Sequence, residues 1–209
     1  MTTRAKRTKP KPLAATAPVE REPGNAHGSR TGLTLFTPIR HEWLALTRLS
    51  LWLGKWIPFV QGHILQFKFI HFVRWAIVRD LPYNGPPQPG RDRLNYAYLY
   101  FETNFDGPWR NYIDGFAYCI PRDIRYLWGR GIAFPGPPPA EPLKRWIAAN
   151  SMGGGTYYVA YPEASVRQVL SAVAVRDGFR TLQEQSAGLS PEQFTAAYER
   201  FLTDVQAHL

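Results

Sequence analysis

Cysteine is nearly absent: Cys119 stands alone among 209 residues. A single thiol excludes a disulfide framework and any zinc site built on paired cysteines, and it suits a reducing compartment. Acidic residues are scarce too, 16 against 25 Lys and Arg, which leaves a formal net charge of +9. No uncharged apolar run reaches the roughly 18 residues that a bilayer-spanning helix needs. The basic start runs into Pro, Ala and Gly instead of an apolar core, so no secretory signal is expected. HExxH, serine-elbow and Walker sequences are missing, and the triple glycine 153–155 lacks a phosphate-loop lysine and a following helix, so it reads as a hinge. Pairs such as Asp106 with Asp114, or Glu102 with Asp123, match no metal or glycosidase spacing. These absences assign no reaction and place the expected location in the cytoplasm.

What is present suffices for a core. The chain is 44% hydrophobic and 14% aromatic, in keeping with one domain plus appendages. The charge is unevenly placed: residues 1–30 hold seven Lys/Arg against Glu20 and Glu22. Residues 1–31, rich in Lys, Arg, Pro, Ala and Gly and without a period, read as a disordered basic tail. Such a tail is either a solvated extension or an arm for nucleic acid or an anionic membrane surface, adding salt-sensitive affinity but no chemistry.

Order is expected from about Gly32. Leu33 to Pro38 reads as a strand, and His41 to Ile57 as a helix that Pro58 stops. At 100° per residue Leu46, Leu49, Leu53, Trp56 and Ile57 share one broad face, opposite a cationic stripe of His41, Arg48 and Lys55. That face calls for burial, with a sheet as first partner and a membrane surface or second subunit behind it. Residues 67–78 and 95–103 read as two further strands. In the second, Ala97, Leu99, Phe101 and Thr103 alternate with Tyr96, Tyr98, Tyr100 and Glu102, which puts an aliphatic face on the core and a tyrosine face elsewhere. The turn Asn104-Phe105-Asp106-Gly107-Pro108 opens a helix over 109–119, with Asp106 as N-cap. A helical turn over 121–128 and a short helix over 143–150 follow. Residues 156–161 read as the last strand, 165–178 as a helix ending at Gly178, and Ser190-Pro-Glu-Gln193 as a capping box opening a C-terminal helix.

Strand, helix, strand, strand, helix, strand is the split βαβ order of a ferredoxin-like α+β sandwich, an antiparallel sheet with helices on one face and extra C-terminal helices. The expected domain spans residues 32–187, with the C-terminal helix at 188–209. An internal echo agrees with this pseudo-two-fold: Thr37 to Trp43 and Thr103 to Trp109 both leave a strand with Thr and reach Trp six residues on.

The segments LTLFTPIR, FKFIHFVRW, YLYFETNFDGPWRNYIDGF and TYYVAYPEASVRQVL resemble a loosely described group of bacterial proteins. These pair a His-Phe-x-Arg strand with a strand ending in (Ser/Thr)-Asn-(Phe/Tyr)-Asp-Gly, and they are similar to dimeric α/β-barrel proteins sometimes labelled peroxidase-like. The resemblance covers roughly residues 33–178. It singles out His71, Phe72, Arg74, Asn104, Phe105, Asp106 and Gly107. It implies homodimerisation through the sheets over the tyrosine-rich face, with haem among the flat ligands to consider. The Gly-Phe-x-Asp-Gly signature of dye-decolourising peroxidases is not in the chain.

The candidate ligand-binding residues are His71, Arg74, Tyr96, Tyr98, Tyr100, Glu102, Asn104 and Asp106. His71 is either a haem ligand or proton carrier, and thus the catalytic candidate, or a buried histidine with a backbone or carboxylate partner. Three residues separate it from Arg74, so alternation puts the two on opposite faces. Arg74 either pairs with Glu102 or Asp106 or holds an anionic ligand. The three tyrosines either stack a flat ligand or bases or form an interface. Cys119 reads as a small buried hydrophobe. Two function classes follow: a homodimeric domain binding a small flat or apolar ligand, and a non-enzymatic interaction protein at an anionic membrane or protein partner. Nucleic-acid binding through the tail and tyrosines is a third.

Overall fold

The computed structural model describes residues 23–54, 56, 62, 67–153, 155 and 157–209. Four strands form one antiparallel sheet: β1 (Asn25–His27), β2 (Arg30–Ile39), β3 (Ile70–Leu81) and β4 (Asp92–Asp106), in spatial order β1-β2-β4-β3. The described helices are α1 (Leu44–Gly54), α2 (Trp109–Cys119), α3 (Pro121–Trp128), α4 (Ala140–Asn150), α5 (Val166–Gln185) and α6 (Pro191–Val205). The class is therefore α+β, as the alternating pattern of strand and helix signals implies. Among the described residues no helix is long and apolar enough to cross a membrane.

β4 organises the molecule because its two faces differ so sharply. Ala97, Leu99, Phe101, Thr103 and Phe105 are buried in turn, while Tyr98, Tyr100, Glu102, Asn104 and Asp106 between them are half-buried. The inward set meets Leu33, Leu35 and Ile39 of β2, and α2, α3 and α4 cover it with Tyr112, Phe116, Trp128, Leu143, Trp146 and Ile147. The Tyr112 ring stacks on Phe105 at 3.8 Å, and its hydroxyl donates to Thr103 Oγ1 at 3.0 Å. Thr103 in turn donates to the Phe72 carbonyl at 3.0 Å, so a polar pair inside the core is satisfied. Lys144 is buried beside these helices and bonds Asp114 and Glu141.

Several sequence expectations are corrected. The sheet begins at Asn25, inside the segment read as tail, because β1 and the start of β2 form a hairpin pairing Asn25 with Gly32 and His27 with Arg30. The basic tail of residues 1–22 lies outside the described residues. The strand expected at 156–161 is not formed: Tyr157 to Tyr161 are irregular, with Thr156 outside the described residues. Its place along β2 is held by β1, and just before it the chain makes a bridge between Ser151 and Leu35 and a bond from Met152 N–H to the Thr34 carbonyl (2.9 Å). Gly178 does not end its helix. α5 continues to Gln185, and the glycine admits α6, since a Cβ there would lie 3.1 Å from Val205 Cγ1 and 3.2 Å from Phe201 Cε2. Cys119, at the exposed end of α2, is not buried.

α1 inverts its expected packing. It buries Thr47 and Ser50 towards α3, where Tyr126 donates to the Ser50 carbonyl at 2.9 Å. Trp43, Leu46, Leu49, Trp52, Leu53 and Trp56 are exposed, not buried against the sheet; Trp52 keeps 57% and Trp56 72% of its surface. Lys55, Ile57 and the expected stop at Pro58 lie outside the described residues. The capping boxes of Ser165 with Gln168 and Ser190 with Gln193 open α5 and α6, the second as expected from the sequence.

Candidate functional site

One end of the sheet gathers charged groups that the sequence scatters. Arg30, the first residue of β2, lies opposite Asp106, the last of β4. Both oxygens of the Asp106 carboxylate are engaged: Oδ1 accepts from Arg30 Nη1 and from His71 Nε2 (2.7 Å), and Oδ2 accepts from the Val166 backbone N–H (3.0 Å). The carboxylate thus sits at the N-terminus of α5, where an anion is favoured, and ties that helix to the sheet. Asp106 had been expected to cap the helix after β4, but that N-cap is Pro108, without a side-chain bond. Gly107, at φ +88°, turns the chain away from the carboxylate in a conformation that side-chain-bearing residues rarely adopt.

His71 reaches this cluster through an irregularity. The β3–β4 register shifts between Ile70 and Phe72, where a bulge breaks strict alternation. His71 and Phe72 consequently both line the pocket on the open face, and Arg74, opposite Glu102, shares the face of Phe72. The expectation that His71 and Arg74 point to opposite faces is therefore overturned. His71 Nε2 is committed to Asp106, so the ring does not fit the part of axial haem ligand through that nitrogen.

The tyrosines form a separate patch further along the same face. Tyr98 and Tyr100 pack edge-on around Phe36, with ring centroids 6.4 Å and 5.1 Å away, and Tyr96 is more exposed. The Tyr100 hydroxyl donates to Glu102 Oε2 at 2.7 Å. Partial burial, then the Glu102 bond, holds that phenol above the ordinary tyrosine range. Of the candidates, His71, Asn104 and Asp106 come together at the cluster; Arg74, Tyr96, Tyr98, Tyr100 and Glu102 lie outside the lining of the pocket beside it.

Between the open face and the first turns of α5 lies a pocket of about 640 Å³. Arg30, His71 and Asn104 form its polar side; Phe72, Tyr157, Tyr161, Val169 and Val173 contribute apolar walls, and Arg176 stands on the α5 side. Gly32 lets a wall approach: a Cβ there would sit 2.8 Å from Asn104 Oδ1 and 2.9 Å from Tyr157 Cε2. Burial raises the Tyr157 hydroxyl above its ordinary pKa, against the opposing pull of Arg30.

Arg30 was missed in the sequence because it was placed in the tail. The signal that could have found it is the period-two pattern of β2: extended backwards through Thr34 and Gly32, it lands on Arg30 as a residue of the open face. The side chain is 2% exposed, and its Nε and Nη2 have no hydrogen-bond partner among the described residues. An unsatisfied buried donor costs about 1–3 kcal/mol, more when charged. Among the described residues no group of three or more His, Cys, Asp or Glu side chains is placed to hold a metal. Comparison of the chain with protein-family models, with curated proteins and with solved structures returns no match.

Proposed function

We propose that the protein is a homodimeric ligand-binding domain of ferredoxin-like descent that holds a small flat or apolar molecule in the cleft between the open sheet face and α5. The carrying observation is the pocket itself, about 640 Å³ with aromatic and aliphatic walls and a few convergent polar groups on one side. That size and lining are those of a small-molecule site. The chain order β2, α1, β3, β4, α2 and the spatial order β2-β4-β3 support the ferredoxin-like reading. In that fold the edge beyond β2 belongs to a fourth strand, and here Ser151 makes an antiparallel bridge to Leu35 of β2. Exposed apolar residues on the open face and α5, among them Phe72, Leu170, Val173 and Phe179, support self-association.

Native mass spectrometry of the gently purified protein tests both parts. A dimer carrying additional mass supports the reading and gives the ligand's class; a bare monomer refutes tight binding and the dimer together.

The outward face of α1 favours a second reading, peripheral association with an anionic membrane. Trp43, Trp52 and Trp56 alongside Leu46 and Leu49 suit the boundary between headgroups and acyl chains, and the basic residues 1–22 add attraction to anionic lipid. Co-sedimentation with phosphatidylserine vesicles but not phosphatidylcholine vesicles, lost on deleting residues 1–22, would support it. Sedimentation with neither, or equally with both, would exclude it. The deletion must stop short of β1, because Arg30 belongs to the sheet.

A further inference from the structure

Resting on the ligand-binding reading of the cleft, we infer that its ligand is a small aromatic or branched carboxylic acid, and that Arg30 recognises the carboxylate. The guanidinium is planar and its donors are fixed in direction. Nη1 is taken by Asp106, whereas Nε and Nη2 have no partner among the described residues. Those two nitrogens share one edge of the group, and their parallel N–H bonds form the fork that a carboxylate accepts bidentately. Asp106 does not supply the missing acceptor: its oxygens receive Arg30 Nη1, His71 Nε2 and the Val166 N–H, and neither reaches Nε or Nη2.

The surroundings select the rest of the molecule. No carboxylate is in the pocket lining among the described residues, but Arg30 and His71 share Asp106 and Arg176 is paired with Asp177, so the unfilled edge of Arg30 is what favours an anion over a neutral or cationic ligand. Phe72, Val169 and Val173 offer an apolar body no side-chain hydrogen bonds but a wide contact surface. A phosphate is less well served than a carboxylate: it needs donors beyond one edge, and the first N–H of α5 is already bonded to Asp106. The 157–161 segment lines the pocket beside Arg30 and has no strand ladder to hold it in place. A modest shift of its side chains, Tyr157 foremost, opens the buried edge to the acid.

The test is calorimetric titration of the full-length protein with 2-naphthoate, with 2-naphthalenemethanol as neutral counterpart of similar shape, and with inorganic phosphate. The acid is expected to bind at least tenfold tighter than the alcohol, with phosphate failing to compete. Arg30→Lys keeps the charge but removes the fork, and should bring acid and alcohol within about threefold. Should that variant fail to fold, the wild-type acid-to-alcohol ratio still decides. Equal affinity for acid and alcohol overturns the inference while leaving the cleft reading intact; no binding of either refutes both. Competition by phosphate at comparable concentration overturns the carboxylate class. A tenfold preference that persists in folded Arg30→Lys overturns the assignment to Arg30.

Discussion

Arg30 and Asp106 are 76 residues apart in sequence, yet they face one another across the first register position of β2 and β4, and among the described residues Arg30 is buried there with one of its three side-chain nitrogens engaged. The pair joins three things at one sheet end: the hairpin, the bulged His71 and the start of α5. Removing Asp106 therefore does more than delete an ion pair. It leaves a guanidinium in the interior without a counter-charge.

Asp106→Ala is expected to lower stability by about 3–5 kcal/mol, the usual cost of stranding a buried charge. Arg30→Met together with Asp106→Ala should be more stable than Asp106→Ala alone, because no charge is stranded. Urea unfolding followed by far-UV circular dichroism measures both; a double variant no better than the single one would contradict this account.

Alkaline stability should be controlled from the core. Burial pushes the Tyr112 hydroxyl far above its ordinary value near 10. Burial alone would lower Lys144, but its bonds to Asp114 and Glu141 prevail and raise it. Both groups lose their proton more readily in the unfolded chain, so their contributions are intact below about pH 10 and fade as pH rises above it. Thermal melts from pH 7 to 11 should fall steeply only beyond about pH 10. Tyr112→Phe should flatten that fall and, having lost one hydrogen bond, cost about 1 kcal/mol at pH 7.

The C-terminal helix pair depends on the smallness of Gly178. Gly178→Leu places a side chain where Phe201 and Val205 stand within 3.3 Å, and should separate α6 from α5. Hydrogen exchange is the appropriate readout: amides of residues 191–205 should lose protection while those of β2 and β4 keep theirs. Overpacking of this kind typically costs 1–3 kcal/mol.

Tryptophan fluorescence reports the inverted packing of α1. Acrylamide should quench a fraction belonging to Trp43, Trp52 and Trp56, leaving the buried Trp109, Trp128 and Trp146 shielded. Replacing Trp52 and Trp56 with Phe should remove most of the quenchable signal with a change in stability under about 0.5 kcal/mol, as for exposed positions without special contacts.

The local pattern carried the faces of β4, the helices after it and the C-terminal capping box, because each depends on side-chain period or on residues within one turn. It also brought His71, Asn104 and Asp106 forward as candidates. It misplaced His71 relative to Arg74, since a bulge arises from pairing with another strand. It also missed Arg30, since a basic residue next to a basic tail has no local mark of burial.

By itself, then, the sequence determined the class of fold and which face of β4 turns inward, through a periodicity written in the strand itself. Tertiary structure alone decided that β1 and not residues 157–161 pairs with β2, that Trp43, Trp52 and Trp56 in and beside α1 stay outward, and that Arg30 ends buried beside Asp106 in the lining of a pocket. Those outcomes come from competition among distant segments for the same edge, face or counter-charge, and no stretch of chain contains both sides of such a contest.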